Sequence, residues 1–159
     1  MGRLPAGADR DFTAGCLVVE DGELLLMHHS KLGLWLQPGG HVEEDETPDE
    51  TAKRETREET GIVPRFHPST QPDSAPGESY NLPEPFQVNL HRIRDGHWHC
   101  SFLYLATVAE ERDATHPEEH DGLRWFSPTD LASDTDDMPA NLRQAGQAAI
   151  ETITAAEQR

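Results

Sequence analysis

The chain has 159 residues, with 30 acidic side chains against 13 basic ones and a formal net charge of −17. That balance excludes a general nucleic-acid binder, since the phosphate backbone repels such a surface, and no long apolar run offers a membrane-spanning helix. A chain of this length fits one domain able to bury about 70% of its unfolded surface without a metal or disulfide staple.

Residues 1–11 are polar and contain Gly and Pro, which predicts a mobile N-terminal segment followed by a single domain over 12–159. They lack an apolar signal-peptide core, so the expected setting is the cytoplasm. From Phe12, FTAGCLVVE reads as a buried strand, Asp21-Gly22 as a hairpin turn and ELLLMHH as the partner strand. His28 and His29, at its end, read as surface histidines. Cys16 and Cys100 lie in apolar, strand-like surroundings without metal-ligand spacing and read as reduced thiols. Trp35, beside a Gly-rich turn, reads as a packing residue.

The stretch GGHVEEDETPDETAKRETREETGI, Gly39 to Ile62, carries the strongest signals. Thr47 suits an N-cap, Pro48 the first helical position, Glu50 completes a Thr-x-x-Glu capping box, and Gly61 ends the helix, which predicts a helix over about 48–60. On it Glu55, Glu58 and Glu59 stand at i, i+3 and i+4, so three carboxylates share one face and repel one another. A divalent cation would offset that repulsion.

The same stretch resembles the Nudix box. Gly40 is followed after five residues by Glu46, after seven more by Arg54-Glu55, and then by Glu58-Glu59, Gly61 and Ile62. One position departs: Thr56 stands where the family has an aliphatic residue, which implies weaker packing under the helix. The resemblance implies an α/β fold, a Nudix-like α/β/α sandwich with a mixed β-sheet between helices. It implies a hydrolase of a pyrophosphate bond in a nucleoside diphosphate linked to another group, using Mg²⁺ or Mn²⁺ in its place. Glu58 and Glu59 are then the principal metal ligands with the Gly39 carbonyl, Glu55 a further ligand or base, Arg54 the residue that orients the glutamates, and Glu46 its structural partner. Gly40 and Gly61 shape the motif. A catalytically idle nucleotide-binding or sensor module on the same fold is the alternative.

Beyond the helix, IVPRFH predicts a strand that Pro64 confines to an edge or bulge. Residues 68–85 contain five prolines and no periodicity, which predicts a long loop bordering the substrate. Tyr80, within it, occupies a place where diadenosine polyphosphate hydrolases of the family carry a tyrosine, and is taken as a substrate contact. FQVNLHRIR and HWHCSFLYLATV, joined by Asp95-Gly96, predict a second hairpin. Alternation puts Trp98, Cys100, Phe102, Tyr104 and Ala106 on one face of its second strand and His97, His99 and Ser101 on the other. His97 and His99 are taken as a cleft wall touching phosphate or base. A solvated strand face is the plain alternative, and a zinc pair would lack a third and fourth ligand at usual spacing.

Many family members add an acidic residue from a loop shortly before a Trp-containing strand. Here PEEHDGLRW offers Glu118, Glu119 and Asp121 ahead of Trp125, and Glu119 is taken as the fourth carboxylate, a ligand or general base. Ser127-Pro128 predicts a helical turn, and a last helix from about Pro139 to Ala156 carries Leu142, Ala145, Ala149, Ile150 and Ile153 on an apolar stripe. The acidic excess runs the whole length of the chain, which fits a source with a salt-rich cell interior. The expected partner is a small-molecule nucleotide, without nucleic acid or membrane.

Overall fold

A computed structural model describes residues 2–68, 74–75 and 77–159 of the chain. The first strand, β1 (Asp9–Glu20), starts earlier than Phe12. Its first residues are not a free tail, because Asp9 to Val18 run parallel to a later strand and the Asp9 amide donates to the Gly96 carbonyl. Asp21 and Gly22 both take positive φ, of 50° and 77°, the backbone of a tight hairpin turn into β2 (Glu23–His29). Two short strands not anticipated from sequence follow, β3 (Leu34–Leu36) on β2 and β4 (Gly39–His41) on β1.

Helix α1 (Pro48–Thr60) has the predicted limits. At its start the Glu50 carboxylate accepts from the Thr47 amide at 2.9 Å, while the Thr47 hydroxyl donates to Asp49 at 2.7 Å. Strand β5 (Ile62–Phe66) pairs with the sheet's long strand through a register shift at Val63/Pro64, the irregularity that Pro64 requires. The Pro-rich region holds a two-stranded ribbon, β6 (Ser74–Ala75) with β7 (Ser79–Tyr80), and the rest of that predicted loop falls partly on 69–73 and 76, outside the described residues.

Strands β8 (Gln87–Arg94) and β9 (His97–Glu111) form the second hairpin, with Gly96 at φ 78° in its turn. A 3₁₀ turn (Pro117–Glu119), β10 (Leu123–Phe126), α2 (Pro128–Ala132) and α3 (Ala140–Glu157) complete the chain. The main path of the sheet runs β10-β2-β1-β9-β5, with β3, β4 and β8 appended, and the β1–β9 pair is parallel among antiparallel neighbours.

Two apolar clusters put this mixed sheet between helices. On one face Leu17, Val19, Leu24, Leu26, Leu103 and Leu105 meet the α3 stripe Leu142, Ala145, Ala149, Ile150 and Ile153. On the other Ala14, Cys16, Val18, Tyr104 and Ala106 meet Ala52 of α1. Each fully buried leucine contributes about 2 kcal/mol relative to an exposed one, so the sheet is a firm platform under both helices. Trp35 packs edge-on against Phe126 with centroids 5.2 Å apart, as a packing residue should. Cys16 and Cys100 are free thiols, and burial pushes Cys16 up to about 12. Thr56 is fully buried on the inner face of α1, and among the described residues its hydroxyl has no hydrogen-bond partner, although the Cys16 thiol lies beside it. Among the described residues no helix is long and apolar enough to cross a membrane.

Candidate active site

The site forms where β4, the start and last turn of α1, and the 3₁₀ turn converge. Gly40 pairs with Ala14 of β1, and a Cβ there would sit 2.3 Å from Glu55 Oε1, so only glycine lets that carboxylate against the strand. At the far end of the helix Gly61 takes φ 76°, and a Cβ would lie 1.9 Å from the Arg112 carbonyl. The motif glycines thus serve two close approaches.

Arg54 binds four carboxylate oxygens at once. Its Nε and Nη2 donate to the two oxygens of Glu46 at 2.5 and 3.0 Å, and Nη1 donates to Glu55 at 3.0 Å and Glu58 at 3.1 Å. The Thr51 hydroxyl adds a 2.6 Å bond to Glu46. The guanidinium holds Glu46 far below the usual carboxylate range, at about 2, and Glu46 in turn raises Arg54. Charge-assisted, two-pronged bonds of this kind fix geometry as well as charge.

Glu55, Glu59 and Glu119 each present an oxygen such that the three atoms lie within 4.8 Å of one another. Glu59 is 3% exposed, and its Oε1 accepts from the Gly39 amide at 2.9 Å. Burial, reinforced by Glu55, Glu119 and Glu58, pushes it up to about 8 despite that bond. Burial also raises Glu55, with Arg54 opposing. Among the described residues Arg54 is the one basic side chain in ion-pair contact with the motif carboxylates, and it reaches neither Glu59 nor Glu119. Of the three, only Glu55 meets Arg54, so Glu59 and Glu119 have no basic partner among the described residues, and three carboxylate oxygens so placed could hold a divalent cation.

The loop after β9 delivers Glu119. The Arg112 amide donates to the Gly61 carbonyl at 2.7 Å, the His116 amide to the Glu58 carbonyl at 2.8 Å, and His120 Nε2 to the Glu59 carbonyl at 2.8 Å. The Gly122 amide donates to His120 Nδ1 at 3.0 Å, so Nε2 carries the proton. These bonds satisfy carbonyls that a helix C-terminus leaves open, and they hold the loop against the carboxylates. Glu118, the neighbour, turns outward to His116 at 3.2 Å.

Other expected site residues lie elsewhere. Glu58 faces Arg54 rather than joining the three oxygens, because the i,i+4 spacing favours that pair. Gly39 meets the cluster through its amide on Glu59. Tyr80 is 75% exposed on β7. His97 and His99 occupy the β9 face opposite α1, where burial and the neighbouring imidazoles lower His99, and among the described residues no hydrogen bond or ion pair ties them to the carboxylates. Sequence reasoning missed His120, whose only signal was adjacency to Glu119, and Thr51, which stands five residues after Glu46.

Comparison with known proteins gives the family and the fold. The family model described as NUDIX domain matches residues 9–147. The chain is 31% identical over 116 residues to Nudix hydrolase 25 of Arabidopsis thaliana, covering 71% of this chain and 64% of that protein. It is 42% identical over 72 residues to Phosphatase NudJ of Escherichia coli (strain K12), covering 40% of this chain and 47% of that protein. The matches thus span less than two thirds of either relative's length. Among solved structures, a hydrolase of the NUDIX family from Clostridium perfringens superposes with a TM-score of 0.73 at 25% identity, covering 91% of this chain and 99% of that one. A C. elegans Ap4A hydrolase binary complex shares the fold with a TM-score of 0.66 at 20% identity, covering 92% of this chain and 98% of that one.

Proposed function

The chain belongs to the Nudix family, and from that premise we propose that it hydrolyses a pyrophosphate bond in a nucleoside diphosphate linked to another group. The observation that carries the reading is the meeting of Glu55, Glu59 and Glu119, from two separate elements, within 4.8 Å of one another. These three would hold a divalent cation, Mg²⁺ with Mn²⁺ as substitute; Glu58, on release from Arg54, and the Gly39 carbonyl would be further ligands beside them. When bound, the cation draws negative charge from the phosphoryl oxygens as it develops.

The chain's own residues do the rest. Arg54 holds Glu55 and Glu58 on the helix face, and Glu46 holds Arg54. The Gly39 amide aims Glu59. Glu119 is exposed where Glu59 is buried, so its carboxylate is the one open to water and takes the proton of the attacking molecule. Oxygen bonds to phosphorus, the bridging P–O bond breaks, and the departing phosphate leaves with the electron pair. A binding module has no use for three like-charged carboxylates drawn together around a buried Glu59, which favours the enzyme over the idle reading.

The substrate class sits in the loops. The names Ap4A hydrolase and UDP-X diphosphatase among the fold neighbours put dinucleoside polyphosphates and nucleotide sugars on the panel, beside nucleoside triphosphates, oxidised nucleotides and ADP-ribose. A salt-rich cytoplasm is the setting that the acidic excess fits. Turnover of that panel with and without Mg²⁺ tests the proposal: cation-dependent release of a nucleoside monophosphate supports it, and binding without turnover supports the idle module.

A further inference from the structure

A second cluster of ligating groups lies on the sheet face opposite α1. Strand register assembles it: Asp11 pairs with His99 and Asp9 with His97 between the parallel strands β1 and β9, and Thr13 pairs with His41 on β4. Asp11, His97 and His99 each offer an atom within 4.8 Å of the others. His41 stands beside this trio rather than within the 4.8 Å group, its Nε2 3.3 Å from Asp11 Oδ2 and its ring 5.1 Å from that of His99, centroid to centroid, so a turn of its exposed side chain would bring it in as a ligand.

We propose that Asp11, His97 and His99, with His41 as fourth ligand, form a transition-metal site of the zinc class. Three geometric facts point to it. His97 spends Nδ1 on Asp9, at 3.1 Å, and turns Nε2 to Asp11 Oδ2 at 3.4 Å without a hydrogen bond. An imidazole whose outer nitrogen is held by a carboxylate and whose inner nitrogen faces a donor set is the carboxylate–histidine–metal arrangement. The 3.4 and 3.3 Å separations from Asp11 also exceed those of charge-assisted hydrogen bonds. They match the spacing of about 3.3 Å between two ligands that share one tetrahedral ion at zinc-like bond lengths. Finally, three imidazoles and one carboxylate suit Zn²⁺, Co²⁺ or Ni²⁺ rather than the hard ions that the all-oxygen cluster suits.

The site is separate from the proposed active site and does not depend on it. A bound ion would cross-link β1, β4 and β9 one residue from Gly40, the glycine against which Glu55 packs.

The test uses the full chain, stripped with chelator and titrated with Co²⁺ in excess Mg²⁺, which occupies the carboxylate cluster. Expected are one equivalent of Co²⁺ bound, the strong visible absorption of a four-coordinate site, and a raised melting temperature. His99→Ala should weaken Co²⁺ binding at least about 100-fold and Asp9→Asn about 10-fold, the latter on the scale of losing an outer-shell partner. His41 is 60% exposed at its side chain, so His41→Ala should fold and still weaken binding, which covers the case of a His99 variant that does not fold. The proposal is overturned if wild type binds no Co²⁺ under excess Mg²⁺. It is equally overturned if His41→Ala and His99→Ala bind as wild type does, or if Glu59→Gln alone removes the binding.

Discussion

His120 Nε2 donates to the main-chain carbonyl of Glu59 across 2.8 Å, so the residue after Glu119 is fastened to the helix turn that carries Glu59. The loop acid is thereby positioned through its neighbour's side chain as well as its own backbone. Loops deliver catalytic groups in this way when a rigid element anchors them.

Removing that anchor should misplace Glu119 without removing it. His120→Ala is expected to lower kcat by about 10-fold with KM nearly unchanged, and to cost about 1–2 kcal/mol of stability for the carbonyl left unpaired. His120→Gln, which can still donate, should restore part of the rate. Steady-state kinetics and denaturant unfolding check both; a rate loss that tracks KM would make the role one of substrate contact.

Glu119 and Glu118 are adjacent and differently placed, which makes them a matched pair. Glu119→Gln should lower kcat by about 10²-fold or more, the scale of general-base loss, with little change in KM. Glu118→Gln should be nearly silent, since its carboxylate faces His116. Equal small effects from both would return the base to Glu55.

The strained carboxylate predicts a pH effect on the metal-free protein. Glu59 is pushed up to about 8, well above an unfolded carboxylate, so between these values the folded state binds more protons than the unfolded. Stability therefore falls as pH rises through that window. Glu46, held at about 2, works the other way: its stabilisation is full above the unfolded value and is lost as pH falls toward 2, outside the Glu59 window. In chelator, wild type should lose melting temperature between about pH 5 and 8.5 by more than Glu59→Gln does, as steps of about half a pH unit in differential scanning fluorimetry would resolve. Parallel curves would sink the assignment.

Thr56 stands where the family has an aliphatic residue and, among the described residues, leaves a buried hydroxyl without a partner. Thr56→Val keeps the shape and removes that group, so it should stabilise the protein by about 1 kcal/mol, a rise in melting temperature of about 2–4 °C. A fall would show that the hydroxyl bonds the Cys16 thiol beside it.

Much of this was legible in local signals. Thr47, Pro48 and Gly61 marked α1 at both ends, because capping signals are written along the chain, whereas Glu119 was reached only through the family resemblance and was chosen among three neighbouring acids. The rest depended on long-range pairing. The parallel register of β1 with β9 brings Asp9 and Asp11 to His97 and His99, and β4 adds His41, neighbours of which no spacing of HWHC gave a sign. The same pairing draws residues 9–11 out of the expected mobile segment. That Arg54 orients the glutamates was expected, but that Glu58 stays with Arg54 and outside the cluster was hidden, because helix spacing puts it within reach of both and only the fold decides between them.

The most direct measurement is turnover of the phosphoanhydride panel by wild type and Glu59→Gln as Mg²⁺ is titrated from chelated to saturating. Expected are a wild-type rate that rises from baseline with Mg²⁺ on at least one substrate, and a Glu59→Gln rate lower by about 10²-fold or more at saturation with the fold intact. Turnover that is independent of divalent cation, or a Glu59→Gln enzyme as active as wild type, would contradict it.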